Sequence, residues 1–290
     1  MTDDASMAAV LVPGAVERRV RRTRGAHATL ALDAVADEVP IALEYNGTPF
    51  AVLMATPLEL DELALGFSLS EGIVASPSDV RVEAVQVHLD GAVVRLRVPD
   101  AAAQQLQRRR RNLQGRSGCG LCGNASIEAV LQPPPPVADR LRIEPGALRR
   151  ALDALHRRQP INTATGATHA AGWATPDGAL ALAHEDVGRH NALDKCIGGL
   201  HRAGIDPRTG FAVVTSRASY EMALKSARAG IELLAAISAP TSLAIALADS
   251  AGLTLIGFAR DADHVVYTHP RRLDGSTAAP RARHAPEARR

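Results

Sequence analysis

Two cysteines, Cys119 and Cys122, are the residues of this sequence best suited to covalent chemistry. They lie in the segment Gly-Cys-Gly-Leu-Cys-Gly at 118–123, and its glycines leave the backbone unrestricted and the sulfur atoms uncovered. Arginines at 108–111 and 116 lie just upstream, and nearby positive charge favours the thiolate, which is the reactive form of cysteine. The pattern indicates an accessible thiol pair suited to redox, metal or sulfur chemistry.

Three other interpretations of this pair stay open. A structural zinc site needs four ligands and usually two such pairs, whereas the sequence offers one. A thioredoxin-like disulfide is expected at the start of a helix within a β-α-β unit, not in a glycine-flanked connection. The two cysteines could also be inert loop thiols. The third cysteine, Cys196, lies at helical spacing among apolar residues and is predicted to belong to the core.

A polar segment, Glu-Asp-Val-Gly-Arg-His-Asn at 185–191, follows an apolar strand pattern and opens a helix pattern. The first turn of a helix presents free backbone N–H groups, and Arg189 and His190 add cationic groups, so this turn suits a phosphate or another anion. The residues equally allow a self-contained capping network in which Asp186 pairs with Arg189. Polar clusters at 165–169 and 216–221 are further candidates, because ligands of open α/β sheets gather at strand ends.

The elements that position these residues divide into two parts. Residues 27–100 predict a small α+β domain, with hairpin turns at Asn46-Gly47 and Asp90-Gly91. Between the hairpins, Thr56 and Glu59 predict a capping box at the start of an amphipathic helix. Residues 1–26 end in an arginine-rich run and are predicted to be disordered.

The C-terminal half predicts a layered α/β domain over residues 141–271, because strand and helix patterns alternate there. Residues 101–140 contain the cysteine pair and four consecutive prolines, which cannot belong to a helix or a central strand. This segment is interpreted as a flexible linker that carries the cysteines. Residues 272–290 are rich in Pro, Ala and Arg and are predicted to form a disordered tail.

Composition narrows the classes of partner. A net charge of +2 produces no long-range field that would predict nucleic-acid binding. The sequence contains no run of about 18 apolar residues, and its first 20 residues lack the layout of a signal peptide. Three cysteines in 290 residues do not make a disulfide framework. We therefore expect a cytoplasmic protein with no nucleic-acid and no membrane partner.

Taken together, the motifs resemble the FdhD family, the formate dehydrogenase accessory sulfurtransferases. The chain contains, in this order, RSGCGLCG, TGATHAA, EDVGRHNALDKCIGG, SRASYEMALKSA, SAPTSLAIALA and LTLIGFAR. The segment NGTPFAVLMATPLELDELALGFSLSEGIV is similar to the family's amino-terminal half, so the resemblance covers about residues 27–271. Two places depart from the family's pattern: Ala167 replaces a second glycine, and Ser216 and Ala218 flank Arg217 where a Ser-Gly-Arg turn is common.

The resemblance implies a sulfur carrier. Family members take persulfide sulfur from a cysteine desulfurase and pass it to the molybdenum bis(molybdopterin guanine dinucleotide) cofactor of formate dehydrogenase. In this sequence Cys119 would hold the persulfide, with Cys122 as its partner. The residues expected to line a pocket for the guanine dinucleotide portion are Phe258, Ala259, Arg260, Asp261, Ala262, Asp263, Arg189, His190 and Arg217.

The resemblance also implies a cytidine-deaminase-like three-layer α/β/α domain beside the smaller N-terminal α+β domain, and a homodimer. The zinc signature of the deaminases, H-x-E followed by P-C-x-x-C, is absent from the sequence. We therefore expect no zinc and no resident metal. The alternative function is a molybdenum cofactor-binding chaperone that transfers no sulfur.

Overall fold

The computed structural model describes residues 12–113 and 134–273. Within these ranges the first element is a hairpin of β1 (Ala15–Arg24) and β2 (His27–Ala36), which form a two-stranded antiparallel sheet of their own. The prediction of disorder over residues 1–26 is therefore wrong for 15–24. The arginine-rich strand carries few apolar residues, and Leu30 on its partner is 86% exposed, so the usual strand signal of a buried face is missing.

A four-stranded sheet follows, built from β3 (Val39–Tyr45), β4 (Thr48–Ala55), β5 (Arg81–His88) and β6 (Gly91–Arg97) in the order β4-β3-β6-β5. The predicted turn at Asn46-Gly47 is confirmed, since both residues have a positive φ. Helix α1 (Leu60–Ser70) packs on this sheet through buried apolar residues that include Leu63 and Ala64. The sheet and helix form the smaller α+β unit.

The predicted capping box at the start of α1 is wrong. The residue before the helix is Glu59, which has a left-handed backbone (φ 53) and makes no side-chain capping bond. Thr56 serves a different purpose, because its hydroxyl accepts the N–H of Val187 at 3.2 Å and its own N–H donates to Asp186 at 3.1 Å. The capping residue expected from local sequence is thus used to join the two halves of the chain.

Helix α2 (Asp100–Leu113) continues directly from the smaller unit. The prediction of a flexible linker over 101–140 is therefore wrong for 101–113, where Ala, Gln, Leu and Arg are good helix formers. The described chain resumes at Pro134 and runs without regular structure to Arg140. The N–H of Val137 donates to the carbonyl of Ala251 at 2.9 Å, which fixes this segment against the larger unit.

The larger unit is a six-stranded mixed sheet in the order β12-β11-β10-β9-β7-β8. Its elements in chain order are α3 (Pro145–Arg157), α4 (Pro160–Thr165), β7 (His169–Ala174), β8 (Leu180–Asp186), α5 (Arg189–Arg202), β9 (Phe211–Val214), α6 (Tyr220–Arg228), β10 (Leu233–Ala236), α7 (Ser242–Ala251), β11 (Thr254–Arg260) and β12 (Asp263–Val266). Strands β9, β10 and β11 are parallel, whereas β7 and β12 run antiparallel to their neighbours. Because β8 is antiparallel to β7, it runs in the direction of β9.

Helices cover both faces of this sheet. Phe211 and Val213 of β9 pack in the apolar cluster that contains α3, while Ala212 and Val214 point into the cluster that contains α1, α5, α6 and α7. This alternation along one strand is the period-2 pattern of a sheet buried on both sides. The chain is therefore a mixed α/β protein with several sheets, as the sequence predicted at that level.

The two units meet where α1 packs against α5. A Cβ atom at Gly198 of α5 would overlap the backbone carbonyl of Glu62 in α1, so only glycine permits this close approach. The smaller sheet is thus held to the larger one by direct contact between helix backbones.

The end of the described chain is ordered where the sequence predicted a tail. Arg272 is fully buried, its Nε lies 3.1 Å from Glu232 Oε2, and Leu273 pairs with Ile143 in an isolated bridge. The prediction of disorder over 272–290 is wrong for these two residues, and 274–290 lie outside the described ranges. Among the described helices, none combines the length and apolar character needed to cross a bilayer.

Candidate functional site

The carboxyl edge of the larger sheet is the place where three helices begin. Strands β8, β9 and β10 run in the same direction, and each is followed by a helix, α5, α6 or α7. Ser219 caps α6 by accepting the N–H of Met222, and Thr241 caps α7 by accepting the N–H of Ala244. The positive ends of three helix dipoles therefore meet at one edge, which favours an anionic ligand.

The segment 185–191 is held at this edge by a buried carboxylate. Asp186 is fully buried, and its Oδ2 lies 2.8 Å from Lys195 Nζ. Its Oδ1 accepts the N–H of Gly188 at 2.8 Å and the amide of Asn191 at 3.0 Å. The suggested pairing of Asp186 with Arg189 is therefore wrong, because Lys195, six residues further along α5, neutralises Asp186 instead. Sequence reasoning missed Lys195 as the partner.

Glu185 has an equally structural role. Its carboxylate accepts the N–H groups of Ile161 and Asn162 in the first turn of α4, at 2.9 and 2.7 Å, and the hydroxyl of Thr168 at 2.9 Å. The polar cluster at 165–169 is thus tied to Glu185. With both acids of the segment engaged in the interior, Arg189 and His190 are its charged groups at the sheet edge.

Arg189 and His190 begin α5 and are both part-buried. The Nε of Arg189 is buried and has no hydrogen-bond partner among the described residues. His190 Nε2 lies 2.7 Å from Glu221 Oε2, and hydrogen bonding to His190 holds the pKa of Glu221 below its ordinary value. Burial, together with the charges of Arg189 and His190, lowers the pKa of nearby His169. The edge is therefore cationic and holds one guanidinium nitrogen in need of an acceptor.

The third polar cluster lies at the end of β9. Arg217 is exposed, and the hydroxyl of buried Ser216 donates to the carbonyl of Arg217 at 3.1 Å. Ala218 is buried and pairs with Pro240, and the N–H of Thr241 donates to its carbonyl at 3.1 Å. These contacts join the loops that begin α6 and α7, and they leave the Arg217 side chain in solvent at the sheet edge.

The predicted segment 258–263 divides between two places. Phe258 has a left-handed backbone (φ 51), is 45% exposed, and its N–H donates to Ser238 at 3.2 Å. The Nε of Arg260 donates to the carbonyl of Ile237 at 3.0 Å. Both residues therefore lie beside the carboxyl end of β10, while Ala259 between them is buried.

The rest of that segment faces α3. Asp261, Ala262 and Asp263 line a cavity of about 180 Å³ together with Gly146 and Arg149 of α3. Arg189, His190 and Arg217 are not among the residues that line this cavity. The structure thus places the turn from β11 to β12 apart from the cationic groups with which the sequence grouped it.

Only one of the three cysteines, Cys196, lies among the described residues. Cys119 and Cys122 lie outside the described residues. Cys196 is fully buried in α5, which confirms its prediction as a core residue, and burial raises the pKa of its thiol to about 12. A thiol that stays protonated and has no access to solvent is unsuited to sulfur exchange.

The fold and the site together define a two-part α/β protein with a cationic sheet edge. The chain belongs to the FdhD/NarQ family, whose model matches residues 36–274. A relative from Xanthomonas campestris pv. campestris, named sulfur carrier protein FdhD, is 65% identical over 90% of this chain and 93% of its own length. A relative of the same name from Bordetella bronchiseptica is 49% identical over 90% of this chain and 95% of its own.

A solved structure shares the fold. A protein from Desulfotalea psychrophila, assigned as a formate dehydrogenase accessory protein, superposes with a TM-score of 0.72 at 23% identity. The match covers 90% of this chain and all of that one. Both units described above are thus present in that protein's fold.

Proposed function

We propose that this protein is a sulfur carrier that passes persulfide sulfur from a cysteine desulfurase to the molybdenum bis(molybdopterin guanine dinucleotide) cofactor needed by formate dehydrogenase. The names of the relatives support the general role. The observation that carries the cofactor part of the proposal is the cationic sheet edge, where Arg189 and His190 lie at one of three converging helix N-termini.

The cofactor is cargo in this proposal, and its chemistry suits the edge. Its dinucleotide portions contain diphosphate groups, which are anions of the kind that helix N-termini and arginine side chains bind. The Nε of Arg189, which has no partner in the described part of the chain, and the exposed Arg217 and Arg260 supply donors for these groups. The exposed ring of Phe258 beside them offers a surface on which a guanine base can stack.

The sulfur step is assigned to Cys119. Its thiolate attacks the outer sulfur of the donor's persulfide, so that a new S–S bond forms and the donor cysteine leaves as a thiolate. Cys122 then attacks the inner sulfur of the Cys119 persulfide, which forms a Cys119–Cys122 disulfide and releases the outer sulfur as sulfide to the molybdenum. A thiol reductant must reduce this disulfide before the next cycle.

The chain is long enough for this delivery. Pro135 lies near Leu69 and Arg228, at the C-terminal ends of α1 and α6, and therefore at the end of the larger unit opposite the cationic edge. The 15 residues from Cys119 to Pro134 span at most about 50 Å when extended. Helix α5, which runs the depth of the unit, has 14 residues and is only about 21 Å long.

Two finer points belong to the same proposal. Helices on both faces of a mixed sheet support the assignment of the larger unit to the cytidine-deaminase-like three-layer fold. We also place the protein in a homodimer, in the cytoplasm, where the desulfurase and the dehydrogenase are its partners.

The test is maturation of formate dehydrogenase in cells that lack their own copy of this protein. The chain with Cys119→Ala should give no active dehydrogenase, whereas Cys196→Ala should support normal maturation because Cys196 is buried. If Cys119→Ala supports full maturation, the sulfur relay is wrong and the protein is a cofactor-binding chaperone. Immunoblotting for equal amounts of each variant serves as the control.

A further inference from the structure

Two carboxylates and one imidazole converge where the two units meet. Glu59 and Glu62 come from the start of α1, and His184 comes from β8 of the larger sheet. His184 Nδ1 lies 3.2 Å from Glu59 Oε2 and 3.4 Å from Glu62 Oε2, and one ligand atom from each of the three residues falls within 4.8 Å of the others. The cluster lies apart from the groups of the sheet edge that the proposed function uses.

The imidazole at its centre is buried. The side chain of His184 is 7% exposed, its Nε2 makes no hydrogen bond within the described ranges, and its Nδ1 has carboxylate oxygens of Glu59 and Glu62 beside it. The Oε2 of Glu62 is likewise buried and accepts no hydrogen bond there. Buried polar atoms are nearly always satisfied, and each one left unsatisfied costs about 1–3 kcal/mol. The Oε2 of Glu62, unsatisfied and 3.4 Å from His184 Nδ1, points to a ligand missing between them.

Packing against α5 fixes the orientation of the His184 ring. A Cβ atom at Gly199 of α5 would come 2.7 Å from His184 Nε2, so the ring is pressed against the backbone of α5. Nδ1 therefore faces the carboxylates and Nε2 faces the helix. Glycine at 199 gives the ring the room that this orientation needs.

The separations match those of ligands around one metal ion. Two ligand atoms that each lie about 2.1 Å from a tetrahedral ion are roughly 3.4 Å apart. The distances of 3.2 and 3.4 Å from Nδ1 to the two carboxylate oxygens agree with this geometry. Imidazole nitrogen with carboxylate oxygen is a donor set that Zn²⁺ and its first-row neighbours accept.

The charges at the cluster also favour a divalent cation. Lys195 is already paired with Asp186, and Arg202 contacts Asp61 and lies 3.8 Å from the other oxygen of Glu62. The two carboxylate oxygens nearest His184 therefore keep negative charge that these cations do not neutralise.

We propose that Glu59, Glu62 and His184 bind a divalent transition-metal ion of the Zn²⁺ class, with solvent in the remaining coordination position. Glu59 is 41% exposed, so the ion and a water molecule can reach the site from solution. The ion ties the start of α1 to β8 and so fastens the smaller unit to the larger one. The sequence alone predicted no resident metal; His184 lies far along the chain from Glu59 and Glu62, so no local motif marks this cluster.

The experiment uses the full-length, untagged protein, freed of metal with a chelator and titrated with Co²⁺ as the probe. The variant Cys119→Ser/Cys122→Ser serves as the background, because that thiol pair could bind Co²⁺ itself. We expect one equivalent of Co²⁺ to give a visible d–d absorption band without the intense near-ultraviolet band of thiolate ligation. At a hundredfold excess over Kd, the ion should raise Tm by about 5 °C.

Variants that remove one ligand at a time assign the site. Glu62→Gln and His184→Gln should each weaken Co²⁺ binding by about tenfold or more. Glu59→Gln should weaken it in the same way. This third variant changes a part-exposed side chain, so it tests the site even if a buried variant fails to fold. His156→Gln removes an exposed histidine of α3 and should bind Co²⁺ like the background. Absence of stoichiometric binding in the background, or equal affinity in Glu59→Gln and His156→Gln, would overturn the proposal. In either case the His184 ring would be a structural contact to Glu59 and Glu62 and not a metal ligand.

Discussion

His190 Nε2 lies 2.7 Å from Glu221 Oε2, and this ion pair connects the first turn of α5 with the first turn of α6. Glu221 belongs to the part of a helix where a carboxylate is favoured by the dipole. The pair holds two helix N-termini next to each other and places one negative charge among the cationic groups of the sheet edge. The His190–Glu221 pair therefore positions the proposed anion site and reduces its net positive charge.

The pair of His190 and Glu221 should contribute to the stability of the fold in a pH-dependent way. Hydrogen bonding to His190 lowers the pKa of Glu221 below 4.5, its ordinary value, although burial opposes the shift. A lowered acid pKa stabilises the fold above the ordinary value, and this stabilisation is lost as pH falls through the folded-state pKa. Glu221→Gln should therefore lower the free energy of unfolding by up to about 1 kcal/mol at neutral pH. At pH values below the folded-state pKa of Glu221, the substitution should leave the free energy of unfolding unchanged.

Urea denaturation of the wild-type protein and Glu221→Gln over a series of pH values measures this difference. The exposed Glu38→Gln is the matched control and should follow the wild type throughout. A deficit in Glu221→Gln that stayed constant into the acid range would show that the carboxylate's charge contributes nothing.

A second prediction concerns the buried pair beneath the edge. Asp186 and Lys195 are both fully buried, so Lys195→Met leaves a carboxylate in the interior without its cation. Such a loss costs about 3–5 kcal/mol of unfolding free energy. The exposed pair of Arg22 and Asp33 provides the comparison, since Arg22→Ala should cost no more than about 1 kcal/mol. Equal losses for the two variants, measured by urea denaturation, would mean that Lys195 does not stabilise segment 185–191.

The position of the nucleotide portion of the cofactor is a third prediction. Guanosine diphosphate should bind at the carboxyl edge, so Arg217→Ala should weaken its binding about tenfold, which is about 1.4 kcal/mol. Arg260→Ala should also weaken it. Isothermal titration calorimetry measures both, with Arg149→Ala as the control because Arg149 lines the separate cavity beside Asp261. Loss of binding in Arg149→Ala alone would place the nucleotide in that cavity.

Much of the fold could be predicted from local patterns. The turn at Asn46-Gly47 and the alternating strands and helices after residue 141 follow from turn chemistry and apolar periodicity. Strand β1 could not be predicted, because its stability comes from pairing with β2 and not from a buried face. The burial of Arg272 could not be predicted either, since it depends on an ion pair with Glu232, 40 positions earlier.

The candidate site could be predicted from the sequence only in part. Arg189 and His190 follow an apolar strand and open a helix, so their place at the sheet edge was predictable from strand-end logic. The separation of Asp261 from Arg260 was not, because it depends on the register shift between Gly257 and Arg260 and on the turn that follows β11. Glu59 looked like a capping residue, but tertiary contact with His184 determines where its carboxylate lies.

The sulfur relay through Cys119 is tested most directly by mass spectrometry of the intact chain and its peptides after incubation with a cysteine desulfurase and cysteine. We expect one added sulfur atom on the peptide that contains Cys119, none in Cys119→Ser, and an unchanged gain in Cys196→Ala. A chain that gains no sulfur under conditions in which the desulfurase is active, or gains it equally without Cys119, would contradict this relay.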